Sequence, residues 1–205
     1  MEQERAIWLL FRLLDTGLRL HEGNEEDAVE LCSKQLRLYA GRHTDWQKYS
    51  FFSDLHYTRN LIDDNDMLEM MVLCWAPGQV SRIHDHADSH CFMGSVMEKR
   101  YSKVAATEDE HRLINEEDEP TPVPGSCPEL KFLGETKLEA GGEAVHIHNR
   151  LWVHSVGNYS EEPAITLHIY SPPIKRVKIF DMDSNQVIAR TPGFFSVHGR
   201  KTGKS

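Results

Sequence analysis

With 205 residues, 40% of them apolar and 27% charged, the chain can bury one sizeable core and has the composition of an ordinary globular protein. Its 32 acidic side chains outnumber 23 basic ones, and the formal charge of -9 works against nucleic acid or anionic membrane as a partner, since both need basic patches. No run of about eighteen apolar residues suggests a transmembrane span, and the acidic start MEQERAIWLLFRLL reads as an amphipathic helix rather than a signal peptide.

Residues 2–20 and 25–40 carry helical periodicity. Asn24 suits an N-cap for the second helix, Glu25 and Glu26 suit its first turn, and Gly41 suits its stop. After Asp45 the texture changes to short β-rich runs. They are LEMMVLCW (68–75), CFMGSVM (91–97), YSKVAA (101–106), LKFLGETKL (130–138), EAVHIH (143–148), WVHSV (152–156), AITLHIY (164–170), RVKIF (176–180) and QVIA (186–189). Gly, Pro, Asn and Asp punctuate them, which predicts an antiparallel sandwich or barrel. The acidic, proline-rich stretch 107–128 reads as a solvated loop inserted between strands. From Gly193 onward the Gly- and Lys-rich tail is expected to be loosely held. One structural domain is expected, made of N-terminal helices (1–44) packed on a barrel (45–190), with a tail at 191–205. The four cysteines, Cys32, Cys74, Cys91 and Cys127, are scattered and form no CxxC, which suits reduced thiols and a cytoplasmic location.

His84 and His86 flank Asp85 in RIHDHADSHC. On extended chain, residues i and i+2 share a face, roughly 6.5–7 Å apart at Cα. Two imidazoles so placed can converge on one ion at about 2 Å from each nitrogen. Asp85 must then face away. Candidates for a third ligand are His146 and His148, which form a second His-x-His, and His154 in WVHSVGN. Its apolar neighbours Trp152, Val153 and Val156 make His154 read, taken alone, as a hydrogen-bonded core residue. In Thr166-Leu-His168-Ile-Tyr170, alternation puts the three polar side chains on one face, and by itself that favours an outer face. A structural zinc finger is disfavoured because the paired cysteines it needs are absent.

GQVSRIHDH is Gly-x5-His-x-His and His154-Ser-Val-Gly-Asn158 is His-x3-Asn; together they resemble the two cupin motifs. Most cupins complete the site with a glutamate shortly after the His-x-His, but here Cys91 follows His86 after four intervening residues. With YTRN (57–60), SHCF (89–92) and LHIYSPP (167–173), residues 45–181 resemble the eukaryotic-type cysteine dioxygenase family. The chain departs from the pattern at Glu98, where cupins have glycine, before His154, where Pro-x-Gly is missing, and in the 107–128 insert.

The resemblance implies an all-β cupin, a jelly-roll-like antiparallel sandwich or barrel with N-terminal α-helices. It implies Fe(2+) held by His84, His86 and His154. Three neutral imidazoles leave the ion its full charge, so an anionic ligand arriving with the substrate is favoured, and a thiolate fits. Tyr170 is implied to stand beside the iron, with His168 on its hydroxyl and Thr166 extending the relay; the match likewise implies a Cys91–Tyr170 thioether. Arg59 would grip a carboxylate bidentately, as Lys could not, and Tyr57 would line the pocket. Trp75 would pack, and His90 would support the site from behind the ligands. The activity implied is that of a monomeric enzyme converting L-cysteine and O2 to cysteine sulfinate. Alternatives are a dioxygenase of another small thiol, 3-mercaptopropionate or cysteamine, and a non-catalytic cupin that binds metal or a small ligand. Arg59 in its YTRN context argues against the first, and Arg59, Cys91 and Tyr170 together argue against the second.

Overall fold

Ile7, Leu10, Phe11, Leu14 and Leu18 recur every three or four residues and form the buried stripe of helix α1 (Ala6–Leu20). Helix α2 (Glu25–Ala40) begins as expected: the Asn24 side chain accepts a hydrogen bond from the Asp27 N–H, and three acidic residues occupy the first turn. Gly17 lets the two helices close on each other, since a Cβ there would lie 2.1 Å from Leu31 Cδ2. The Asp45 carboxylate joins both helices to the following turn, accepting from the Ile7 N–H at 2.8 Å and the Tyr39 hydroxyl at 2.6 Å. The computed structural model describes residues 5–93, 97–103, 121–122, 127–138, 144–148 and 150–203, with backbone only at 97–103 and 121–122. Most of the acidic insert expected at 107–128 lies outside the described residues.

Numbered along the chain, fourteen strands among the described residues form two seven-stranded sheets. The first is ordered β14 (Arg200–Lys201), β13 (Ser196–Val197), β1 (Thr58–Asp64), β2 (Glu69–Trp75), β10 (Ala164–Ser171), β4 (His90–Met93), β8 (Val145–Ile147). The second is ordered β6 (Thr121–Pro122), β12 (Gln186–Arg190), β11 (Val177–Asp181), β3 (Ile83–His84), β9 (Val153–Gly157), β5 (Met97–Lys103), β7 (Leu130–Lys137). Among the described residues every pairing is antiparallel except β1 with β13.

Period-two alternation divides the first sheet between two cores. Met70, Val72 and Cys74 of β2, Phe92 of β4 and Ile169 of β10 pack with the helices. Met71, Leu73, Trp75, Cys91, Met93 and Tyr170 point the other way, into the space between the sheets. Strand β2 is buried from end to end, so after Glu69 it reads as a continuous apolar run without polar alternation.

The tail departs from expectation. From Phe194 to Lys201 it completes the first sheet: the Phe195 N–H bonds the Arg59 carbonyl at 2.8 Å, and buried Ser196 donates from Oγ to Asn60 Oδ1 at 2.8 Å. Backbone pairing against polar β1 holds it, and a composition rich in Gly and Lys carries no signal of that. The expected boundary at 190 is therefore no structural border. Among the described residues no helix is long and apolar enough to cross a membrane.

Candidate active site

The second sheet brings the first pair of histidines to their partner. His84 ends β3 directly opposite His154 on β9, and His86, two residues on, comes to the same side. Asp85 turns away as required and is buried, accepting from the Lys178 N–H at 2.7 Å while its own N–H bonds the Lys178 carbonyl at 3.0 Å. That exchange fixes the loop to β11. The three rings lie 4.8–5.1 Å apart between centroids, and one nitrogen of each lies within 4.8 Å of the others. His154 Nε2 and His86 Nε2 are 3.2 Å apart.

The Arg82 carbonyl, 2.8 Å from His84 Nδ1, can only accept. Nδ1 therefore carries the proton, and the Nε2 lone pair is left for a ligand role. Burial pushes His84 down to about 3 and His86 well below the usual imidazole range. Both are neutral at neutral pH, the form that binds metal. Asn158, last residue of the second motif, donates to the carbonyls of Trp75 at 3.2 Å and Glu162 at 2.7 Å, tying the turn after β9 to β2.

The other histidine pair goes elsewhere. Phe92, which faces the helices, pairs with His146, so His90 and His146 share that outer face. There His90 Nδ1 lies 2.9 Å from His146 Nε2, and the His90 and His148 rings are 4.5 Å apart. His148 accepts from the Arg150 N–H at 3.2 Å, and Arg150 pairs with Glu25 of α2. His90 thus supports this outer cluster and not the three convergent histidines, because alternation turns it opposite to Cys91.

Tyr170 and Cys91 are direct cross-strand partners on β10 and β4, and both are buried. The Tyr170 and His86 rings are 5.7 Å apart. His168 Nδ1 lies 3.1 Å from the Tyr170 hydroxyl, and His168 Nε2 lies 2.8 Å from Thr166 Oγ1. Trp75 Nε1, a donor only, reaches the same Thr166 oxygen at 2.9 Å. Only the bond from Trp75 has a direction fixed by its partner; the tautomer of His168 sets the other two. When Thr166 gives its own proton to His168 Nε2, His168 donates from Nδ1 to the Tyr170 oxygen and the Tyr170 proton points into the space between the sheets. Burial keeps His168 neutral and raises the Tyr170 phenol well above its ordinary range, so it stays protonated.

Arg59, on β1 opposite Leu73, faces the same interior. Its guanidinium lies 5.7 Å from the Tyr170 ring centre and 5.5 Å from that of Phe194, with Glu69 Oε1 at 3.5 Å. Tyr57 stacks on Trp75 at 4.4 Å and 16°. Three residues of this neighbourhood carry more than sequence reasoning assigned. Trp75 directs the relay besides packing, Phe194 covers Arg59 from the tail, and Glu69 pairs with Arg59. An acidic residue inside an otherwise apolar strand was the one available signal for Glu69.

Two mostly antiparallel sheets that bring a His-x-His and a His-x3-Asn motif together define a cupin. Residues 13–183 match the family model described as cysteine dioxygenase type I, and the chain belongs to that family. It is 32% identical over 204 residues to cysteine dioxygenase type 1 of Rattus norvegicus, covering 97% of this chain and 94% of that protein. To the protein of the same name from Danio rerio it is 31% identical over 187 residues, covering 89% and 86%. A solved double-stranded β-helix protein from Klebsiella pneumoniae is also similar, with a TM-score of 0.43 and 15% identity over 68% of this chain and 97% of that one.

Proposed function

We propose that this cupin is an Fe(2+)-dependent thiol dioxygenase that converts L-cysteine and O2 to cysteine sulfinate, with His84, His86 and His154 as the metal ligands. The observation that carries the reading is the trio itself. Three imidazole nitrogens converge, and among the described residues no carboxylate joins them. Such a donor set suits a divalent transition metal and leaves its charge to be balanced by a thiolate. Bound ferrous iron supplies the site for the thiolate and for dioxygen activation.

The chain's own groups do the rest. Arg59 receives the substrate carboxylate, and the Tyr57–Trp75 stack walls the pocket beside it. Tyr170 donates its hydroxyl proton toward the reacting atoms, held in that direction by His168 and Thr166. Cys91 forms a thioether to the ring carbon beside the Tyr170 hydroxyl. That step loses one S–H and one C–H hydrogen, forms one C–S bond and passes two electrons and two protons to dioxygen. The four cysteines, all free, fit a cytoplasmic setting.

Metal analysis of variants tests the ligand assignment. His84→Ala, His86→Ala and His154→Ala are each expected to lose iron and activity, while His146→Ala and His148→Ala keep most of both. A His148→Ala protein without iron, beside a His154→Ala protein that retains it, would overturn the third ligand.

A further inference from the structure

Glu69 is an acidic residue in β2, a strand buried from end to end. It is only 4% exposed, and it faces the interior directly opposite Tyr170, in line with Met71 and Leu73. A buried carboxylate needs partners. Burial raises the Glu69 carboxyl above its ordinary range, the Arg59 guanidinium and the Ile174 backbone N–H hold it down, and Asp64, opposite it on β1, repels it. The contact with Arg59 is loose. At 3.5 Å, Nη2 to Oε1 is longer than the ~2.8 Å of a tight charge-assisted hydrogen bond. Arg59 Nε is buried and has no hydrogen-bond partner among the described residues. The guanidinium is thus partly neutralised on one side, with a donor left for another acceptor.

We propose that Glu69 is a specificity-setting residue that acts through Arg59, limiting the preference for thiols with a carboxylate over thiols without one. The inference rests on Arg59 receiving the substrate carboxylate. A buried cation discriminates because a ligand without the matching anion leaves it unpaired. Glu69 relieves that penalty for a thiol such as cysteamine. When cysteine binds, Glu69 also repels the incoming carboxylate across the shared guanidinium. Both effects narrow the same ratio. Two carboxylates about 6 Å apart at an effective dielectric of about 20 repel by up to roughly a hundredfold in affinity.

The test uses iron-loaded full-length protein, wild type and Glu69→Gln, each with cysteine and cysteamine. The amide keeps the shape and an acceptor for Arg59 and the Ile174 N–H, and removes only the charge. The ratio of kcat/KM for cysteine to that for cysteamine is expected to rise at least about tenfold. For cysteine the gain is expected as a lower KM, with kcat within about twofold of wild type. Glu69→Asn reads the same ratio if the glutamine variant accumulates poorly. A merely structural role lowers both substrates together and leaves the ratio unmoved, and that result overturns the inference while the functional reading stands. Wild type that oxidises neither thiol overturns both.

Discussion

Thr166→Val removes the hydroxyl that lets His168 accept at Nε2 and donate from Nδ1 to Tyr170. Two bonds end on that oxygen, from Trp75 Nε1 at 2.9 Å and to His168 Nε2 at 2.8 Å, and both partner side chains are buried. Valine can replace neither bond, so one donor and one acceptor are stranded at about 1–3 kcal/mol each, roughly 2–6 kcal/mol together. At about 2–4 °C per kcal/mol for a domain of this size, Tm is expected to fall by roughly 5–20 °C. Thr166→Ser keeps both bonds and loses a methyl group, for about 1 kcal/mol. The kinetic effect is separate. Without Thr166, His168 no longer has to carry its proton on Nδ1. In the other tautomer it accepts from Tyr170 and draws that proton out of the cavity. Loss of one positioned donor lowers kcat by on the order of tenfold to a few hundredfold. Thermal unfolding and kcat at saturating cysteine, measured well below either midpoint, read the two effects independently. A valine variant with wild-type Tm and kcat would refute the relay, and so would a serine variant as damaged as the valine one.

Protein turned over with iron, oxygen and cysteine is expected to lose the mass of two hydrogens and run partly as a faster band on a denaturing gel. Cys91→Ser and Tyr170→Phe are each expected to abolish the change, and a crosslinked peptide containing another cysteine contradicts the pairing. Arg59→Ala is expected to lower kcat/KM for cysteine by roughly thirty-fold to a few thousand-fold, the loss from breaking a desolvated pair of about 2–5 kcal/mol. Because that variant also strands Glu69, Arg59→Ala/Glu69→Gln is expected to recover stability without recovering cysteine activity; recovery of both would remove Arg59 from carboxylate recognition. The metal-free protein is expected to lose stability as pH falls from about 6.5 toward 4. His84 is held down to about 3 and His146 to about 4, with His86, His90, His148 and His168 also lowered. Below 6.5 the unfolded chain therefore binds more protons than the folded one, and the slope of stability against pH is positive. Glu69, raised by burial, pulls the other way but is one group against several. Urea midpoints between pH 7.5 and 4.5 check the sign, and a His146→Phe variant is expected to show a shallower slope.

Much of this was legible from residue patterns, and the exceptions share a cause. Both helices, the N-cap at Asn24 and the apolar strands are local features, and local periodicity reported them. Strand β1 reads TRNLIDD, too polar to announce itself, and β13 and β14 are two residues each, held by backbone pairing. The third histidine shows the limit most clearly. His146 and His148 have the same spacing as His84 and His86, so no count along the chain chooses between them and His154. The family resemblance chose His154, and the physical reason lies in sheet register, which sets His84 opposite His154 and turns His146 toward the helices. Glu69 had the opposite problem. Its strand was plain, but the partner that makes its burial tolerable comes from β1.

The central claim is that both atoms of dioxygen enter the sulfur of cysteine at the site of three histidines. Iron-loaded protein supplied with L-cysteine under 18O2 in ordinary water tests it directly. The account predicts cysteine sulfinate carrying two heavy oxygens, one dioxygen consumed per cysteine, and no such product from His154→Ala. Sulfinate with one or no heavy oxygen, or cystine as the only product, would contradict it.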